Sequence, residues 1–295
     1  MVRFGFIWQN STMMQERTTP DSIRERKGKK PPLTLLPAYD ATFARLLDQA
    51  GIDIILVGDT LGQFVQGHDN PLPVTVDDVV YHLRAVNRVT RSALVAGDMP
   101  FLSFQTSQEA ALRNAGRLIK EGGARAVKIE GGVAFAETVA AMTRAGIPVI
   151  GHIGVQPQST LLTGHFRVSA GRAIEDVQRL LEDARAMADA GAFALVVEAV
   201  PREAARLVTR SVSIPTLGIG AGPDCDGQVI VTHDLLGLFT EFKPKFVKRY
   251  ADLAGEAGKA LKSFLSDINE GVFPDDEHSY HITDPKILEA IRKME

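Results

Sequence analysis

Cysteine is nearly missing. Cys225 stands alone in 295 residues, which excludes an intrachain disulfide framework and fits a reducing compartment, the cytoplasm by default. An excess of charge of one sign is absent too. Lys and Arg number 33 against 36 Asp and Glu, a net charge of -3, so no global field draws the chain to a polyanion such as nucleic acid. The one cationic run, Arg24 to Lys30, is broken by Glu25 and has no interleaved aromatics; it reads as a solvated arm. Long hydrophobic runs are also lacking. The apolar patch Phe4 to Trp8 has neither the length nor the cleavage pattern of a signal peptide, and no stretch suits a membrane span.

Apolar residues are nonetheless plentiful, at 45% of the chain, enough for a large core. Eight short apolar runs read as strands: Leu33 to Leu36, Ile54 to Val57, Ala93 to Ala96, Ala126 to Ile129, Pro148 to Ile150, Ala194 to Val197, Thr216 to Ile219 and Val229 to Val231. Amphipathic helical stretches separate most of them. Several stop at a glycine suited to a left-handed cap, at Gly51, Gly123, Gly146 and Gly191. Eight βα units whose strands are apolar on both faces predict an α/β fold, a closed (β/α)8 barrel with helices outside. Beyond Phe242 the pattern predicts a long helix from Phe246 to about Asn269, a loop, and a short terminal helix from Pro285.

Barrels of this kind carry their sites at the C-terminal ends of the strands, and here those ends are polar. In order they offer Tyr39 and Asp40, Asp59 and Thr60, Asp98, Lys128 and Glu130, His152, Glu198, Gly218, Gly220 and Gly222, then His233 and Asp234. Lys128 and Glu130 lie two apart in a β-branched run, so alternation aims both the same way. Taken singly, each residue has a structural explanation: Asp59 can cap the next helix, Asp98 can start the turn at Pro100, and His152 can be a satisfied core histidine. Together the explanations weaken, because neighbouring strands about 4.8 Å apart would crowd Asp59, Asp98 and Glu130 at one rim. Such carboxylates call for a cation. Hard oxygen donors favour Mg2+ or Mn2+ over zinc, and the matching ligand is an oxygen chelator such as a 2-oxo acid. Glu198 ends an apolar run that should raise its pKa and suit it to act as a general base; the alternative is a buried ion pair, with Lys128 one candidate partner.

Longer motifs then carry a resemblance. Ala38-Tyr39-Asp40, Val57-Gly58-Asp59-Thr60-Leu61-Gly62, Val65-Gln66-Gly67-His68-Asp69, Leu72-Pro73-Val74-Thr75, Asp98-Met99-Pro100-Phe101 and Val127-Lys128-Ile129-Glu130-Gly131-Gly132 run in order. They are followed by Gly151-His152-Ile153-Gly154, Pro157-Gln158-Ser159, Glu198-Ala199-Val200-Pro201, Gly218 to Gly222 with Asp226-Gly227-Gln228, Pro244-Lys245-Phe246, and Glu277 to His281. From about Asp21 to His281 the chain resembles the 3-methyl-2-oxobutanoate hydroxymethyltransferase (ketopantoate hydroxymethyltransferase) family.

That resemblance implies a TIM barrel of the phosphoenolpyruvate/pyruvate type and a one-carbon transferase of pantothenate biosynthesis. It implies transfer of a hydroxymethyl group from the co-substrate 5,10-methylenetetrahydrofolate to 3-methyl-2-oxobutanoate, giving 2-dehydropantoate, with one Mg2+ per subunit and an enolate on the path. By motif, Asp59, Asp98 and Glu130 take the metal positions, Asp59, Thr60, Asp98, Lys128 and His152 contact the substrate, and Glu198 is the proton acceptor. A homo-oligomer, typically a decamer, is implied as well. Residues 1–20 are expected to be an arm, 21–281 a single catalytic domain and 282–295 a C-terminal extension. The chain departs from the family's pattern at Thr60, where serine is usual, at Pro37, and across 163–171. Competing readings are a metal-dependent lyase or aldolase acting on another 2-oxo acid, and a catalytically lapsed scaffold paralogue. Gly218 to Gly222 lacks the full dinucleotide fingerprint, so NAD is rejected; close backbone approach is the simpler reading, a phosphate or carboxylate cradle the other. Cys225, between Asp224 and Asp226, is disfavoured as a thiolate.

Overall fold

Strands and helices alternate around a closed parallel barrel in the computed structural model, which describes residues 17–159, 161 and 173–295. The strands are β1 (Leu33–Pro37), β2 (Ile54–Val57), β3 (Leu94–Asp98), β4 (Ala126–Glu130), β5 (Val149–Gly154), β6 (Ala194–Glu198), β7 (Thr216–Ile219) and β8 (Gly227–Val229). They pair in sequence order, and β8 closes on β1. Helices such as Val76–Val89, Gln108–Lys120 and Ile174–Asp189 cover the outside. Gly51, Gly123, Gly146 and Gly191 have φ between +79° and +96°, the left-handed caps that the sequence called for. No helix among the described residues is long and apolar enough to cross a membrane.

Strand alternation divides the core in two. Ile55, Val57, Val127, Ile129, Leu195 and Val197 belong to the outer cluster beneath the helices, while Ile54, Leu56, Leu94, Ala96, Ala126, Ile150, Ala194 and Val196 belong to the cluster that fills the barrel. Period two then settles where the polar strand ends point. Asp98 shares the parity of Leu94 and Ala96, Lys128 and Glu130 that of Ala126, His152 that of Ile150, and Glu198 that of Ala194 and Val196. All five aim inward above an apolar floor.

Two elements differ from expectation. The eighth strand begins at Gly227, two residues before the apolar run at Val229, and pairs Gly227 with both Leu33 and Leu217. That strand is selected by barrel closure, not by its own hydrophobicity. The long C-terminal helix runs Leu253–Glu270 and so starts later than Phe246, because the Asp252 side chain accepts from Gly255 N and caps it. From residue 259 onward every residue is exposed, including Leu261, Phe264, Leu265 and Ile268. Residues 1–16 of the expected arm and the 163–171 segment lie outside the described residues.

The opposite end of the barrel is closed by the short helix Pro20–Arg24, whose Ile23 joins the inner cluster. Asp226 secures this closure: its carboxylate accepts from Gly28 N at 2.8 Å, Lys27 Nζ at 2.9 Å and Thr216 N at 2.8 Å. Asp226→Ala would strand a partly buried ammonium and two amides, and should lower unfolding free energy by about 3 kcal/mol. A urea midpoint equal to that of the wild type would disprove this clasp.

Candidate functional site

The seven residues to which the resemblance gives a site role all line one cavity of about 60 Å3 at the C-terminal end of the barrel: Asp59, Thr60, Asp98, Lys128, Glu130, His152 and Glu198. Strand register builds it. Asp98 on β3 stands beside Lys128 on β4, and Glu130 beside His152 on β5. Gly154 lets β5 pass close to β6: at φ +95°, a Cβ there would lie 2.3 Å from the Glu198 carbonyl oxygen. The rest of the wall is apolar, with Leu35, Leu56, Val196, Ile219 and Val231.

Lys128 is the electrostatic centre. Its Nζ lies 2.9 Å from Asp98 Oδ1 and 4.0 Å from Glu130 Oε1, with Nδ1 of His152 at 3.3 Å. Burial disfavours the ammonium, but Asp98, Glu130 and Asp59 outweigh it and hold its pKa above the usual lysine value. Lys128 is therefore charged. His152 is driven the other way, by burial and then by Lys128, and is neutral. An ammonium can only donate, so His152 Nδ1 is the acceptor and Nε2 carries the hydrogen, a tautomer assigned from the contacts. Nε2 faces Glu198 Oε2 at 3.1 Å, off the line of a good hydrogen bond.

The carboxylates outnumber their counter-charge. Burial raises Asp59 well above the ordinary range, with Asp98 and Glu130 adding to it. Burial likewise lifts Glu130 to about 8, against the pull of Lys128, and Glu198 to about 7. Lys128 is not the partner of Glu198: it is held by Asp98, so the ion-pair alternative for Glu198 is not the arrangement found. The helix-cap explanation for Asp59 is not the arrangement found either: its side chain makes no cap for the helix Leu61–Phe64. Asp98 Oδ2 accepts from Asp59 N at 3.2 Å, which ties the two acidic strand ends together.

Two residues of this site were not among the seven. Gln158 lies in the short 3-10 turn Pro157–Ser159; its Nε2 donates to Asp59 Oδ2 at 2.8 Å and to Met99 O at 2.9 Å, and its backbone N donates to Glu130 Oε2 at 3.1 Å. Tyr39, which closes β1, places its hydroxyl 2.7 Å from Thr60 Oγ1. Tyr39 had a signal in its strand-end position, whereas Gln158 had only its motif. His233 stacks among Tyr39, Phe43 and Phe64 rather than facing the cavity. Cys225 is buried, and burial followed by the neighbouring Asp226 raises its pKa, so it is inert as a nucleophile. At Gly220, φ +62°, a Cβ would lie 2.7 Å from the Phe246 ring, which supports close approach over a ligand cradle.

Known proteins match this chain over most of its length. A sequence model of the family described as ketopantoate hydroxymethyltransferase matches residues 17–276. The 3-methyl-2-oxobutanoate hydroxymethyltransferase of Moorella thermoacetica is 51% identical over 266 residues, covering 90% of this chain and 98% of that one. The protein of the same name from Geobacter sulfurreducens is 51% identical over 267 residues, covering 90% of this chain and all of that one. Among solved structures, 2,3-dimethylmalate lyase, a PEP mutase/isocitrate lyase superfamily member, aligns with a TM-score of 0.55 at 19% identity, over 94% of this chain and 95% of that one. At that identity the likeness concerns the fold.

The donor set fits a hard divalent cation. Asp98 Oδ1 and Glu130 Oε1 are buried without a well-directed hydrogen bond, and four carboxylates face a single charged ammonium. No three His, Cys, Asp or Glu side chains among the described residues stand close enough together to form a ready-made cage; the oxygen character of Asp59, Asp98 and Glu130 is what matches a hard cation such as Mg2+ rather than zinc. Without metal, Glu130 and Glu198 keep their protons to about pH 8 and about pH 7, so the folded state binds more protons than the unfolded chain above the ordinary carboxylate range. Stability then falls as pH rises through that window. Chelator-treated protein should lose thermal stability from about pH 5 to about pH 8, and added Mg2+ should restore more of it at the upper end. A melting temperature indifferent to Mg2+ near pH 8 would mean that protons alone neutralise the rim.

Proposed function

Because the chain belongs to the ketopantoate hydroxymethyltransferase family and is an enzyme of that family, we propose that it transfers a hydroxymethyl group from 5,10-methylenetetrahydrofolate to 3-methyl-2-oxobutanoate, giving 2-dehydropantoate. The observation that carries this reading is the pairing, in one cavity, of a buried cationic and carboxylate rim with a separate glutamate whose pKa is about 7. A 2-oxo acid suits the rim through its carboxylate and carbonyl oxygens. Its branched alkyl end suits the apolar wall of Leu35, Leu56, Val196 and Ile219.

Glu198 removes the proton at C3. A carboxylate with a pKa near neutrality is matched to that task, because it is substantially ionised at the working pH yet basic enough to accept the proton. The neutral His152 stands between Glu198 and Lys128, with Nε2 at 3.1 Å from Glu198 Oε2 and Nδ1 at 3.3 Å from Lys128 Nζ, while Lys128 still favours the ionised form of Glu198. Lys128 places positive charge where the 2-oxo oxygen gains electron density. Asp59, Asp98 and Glu130 would hold Mg2+, which when bound supplies further positive charge to the oxygens of the oxo acid. C3 then forms a bond to the methylene carbon of the folate. Over the whole reaction both carbon–nitrogen bonds to that carbon break, water supplies its hydroxyl, and the two nitrogens take up the C3 proton and the second proton of water.

In this reading residues 21–281 are the catalytic domain and 282–295 an extension. The protein works in the cytoplasm as a homo-oligomer, a decamer by family likeness. The exposed apolar residues of the helix Leu253–Glu270, among them Phe264 and Leu265, support assembly, since single exposed apolar residues are common but a row of them is not.

Purified protein supplied with both substrates and Mg2+ should form 2-dehydropantoate, detected by mass spectrometry, and a chelator should stop it. Product formed equally well with chelator, or none from folded and metal-loaded protein, would defeat the reading. Glu198→Gln should bind the oxo acid normally while losing C3 deuterium exchange by roughly 100-fold or more. Exchange at the wild-type rate in that variant would remove Glu198 as the base.

A further inference from the structure

Asp234 is a charged strand-end residue that the acidic cavity does not use. It lies just beyond β8 in the helical turn Thr232–Leu235 and is 7% exposed; its carboxylate makes no direct hydrogen bond or ion pair among the described residues, and burial raises its pKa against the more distant pull of Arg249. Burying a carboxylate with only a distant counter-charge is unfavourable. It faces a second cavity, of about 490 Å3, whose walls carry the rings of Phe64, Phe239, Phe242 and Phe246. Phe64 and Phe239 meet edge to face at 5.0 Å. Gln63, Asp69, Asn70 and Thr60 line the cavity as well, but Asp234 is the buried carboxylate set beside the rings, and a ring-lined pocket with a few convergent polar groups is the usual form of a site for a planar organic molecule.

The second cavity opens directly onto the first. Thr60, Pro157, Glu198, Ile219 and Val231 line both, and Glu198 keeps 12% side-chain exposure, so a molecule held against Asp234 has the proton acceptor of the reaction as a common wall with the oxo acid. Past Phe242 and Phe246 the space continues into a groove of about 610 Å3 that carries Lys245. A ligand filling this path would have a flat apolar head, a hydrogen-bonding edge on that head, and a longer polar tail.

We propose that the second cavity is the subsite for the one-carbon donor. Asp234 accepts paired hydrogen bonds from the ring N–H and exocyclic amino group of a 2-amino-4-oxopyrimidine edge, and the phenylalanine rings cover the faces of the fused heterocycle. Two carboxylate oxygens match two adjacent donors, as they do with a guanidinium fork. The assignment rests on the transferase reading above and adds to it the residues that choose the donor.

The test separates the two ideas, because C3 deuterium exchange of 3-methyl-2-oxobutanoate needs no donor. With the full chain and Mg2+, Asp234→Asn should exchange deuterium within about two-fold of wild type and keep its KM for the oxo acid. Its KM for methylenetetrahydrofolate should rise by roughly ten-fold or more, and calorimetric binding of tetrahydrofolate should weaken in step. Phe242→Ala, at a position 63% exposed and so tolerant of change, should raise the same KM several-fold. That variant decides the matter if Asp234→Asn does not fold. Donor KM and tetrahydrofolate binding unchanged in these variants, with wild type active, would overturn the subsite and leave the transferase reading standing. Failure of wild type to exchange deuterium or form product would overturn both.

Discussion

The buried ammonium of Lys128 organises the upper half of the barrel. It stands on β4, within 2.9 Å of Asp98 on β3 and 3.3 Å of His152 on β5, and so joins three strands through one charge. Removing this charge would leave Asp59, Asp98 and Glu130 in a low-dielectric rim with nothing to offset them. The same charge divides the titration of its neighbours. It pulls against the burial of Glu130 and Glu198, and it helps keep His152 neutral. A site with several ionisable groups becomes a site with distinct roles because those groups sit at different distances from one cation.

The barrel can hold this arrangement because its strands are apolar on both faces below the rim. Ile54 and Leu56, Leu94 and Ala96, and Ala194 and Val196 fill the interior, while Ile55, Val95 and Leu195 lie under the helices. This rigid, dry floor fixes the height at which Asp98, Lys128, Glu130, His152 and Glu198 emerge. At the other end Asp226 and Ile23 close the barrel with a different set of bonds. Stability and chemistry therefore occupy opposite ends of the same strands, and a change at one end need not be felt at the other.

That division also explains what could be read in the sequence. Residue parity within a strand is local information, so the inward aim of Lys128 and Glu130 was legible from two positions, and the parallel closure followed from repeated βα units. The start of β8 was not, because Gly227 has no side chain to mark it and is placed by Leu33 and Leu217 on its neighbours. The late start of the helix Leu253–Glu270 depended on the Asp252 cap, a weaker signal than the apolar pattern before it. Gln158 was hidden for another reason. Its hydrogen bonds reach Asp59, Met99, Glu130 and Gln105, residues far away in the chain, and nothing in a three-residue turn announces such partners. The empty hydrogen-bonding capacity of Asp234 likewise exists only once the surrounding rings are in place.

In the proposed reaction the site changes little while charge moves through it. Four carboxylates face one charged lysine across the cavity, and the oxo acid brings a further carboxylate. When Glu198 takes the C3 proton, the total charge of the enclosed site stays the same; one negative charge leaves Glu198 and reappears on the oxo oxygen, nearer Lys128. His152 is neutral between the two ends of that movement, so no third group must gain or lose a proton for it to occur. The dipoles and charges that favour the product of proton transfer are already in place before it begins, which is the form of electrostatic preorganisation that lowers a barrier without a compensating cost of rearrangement.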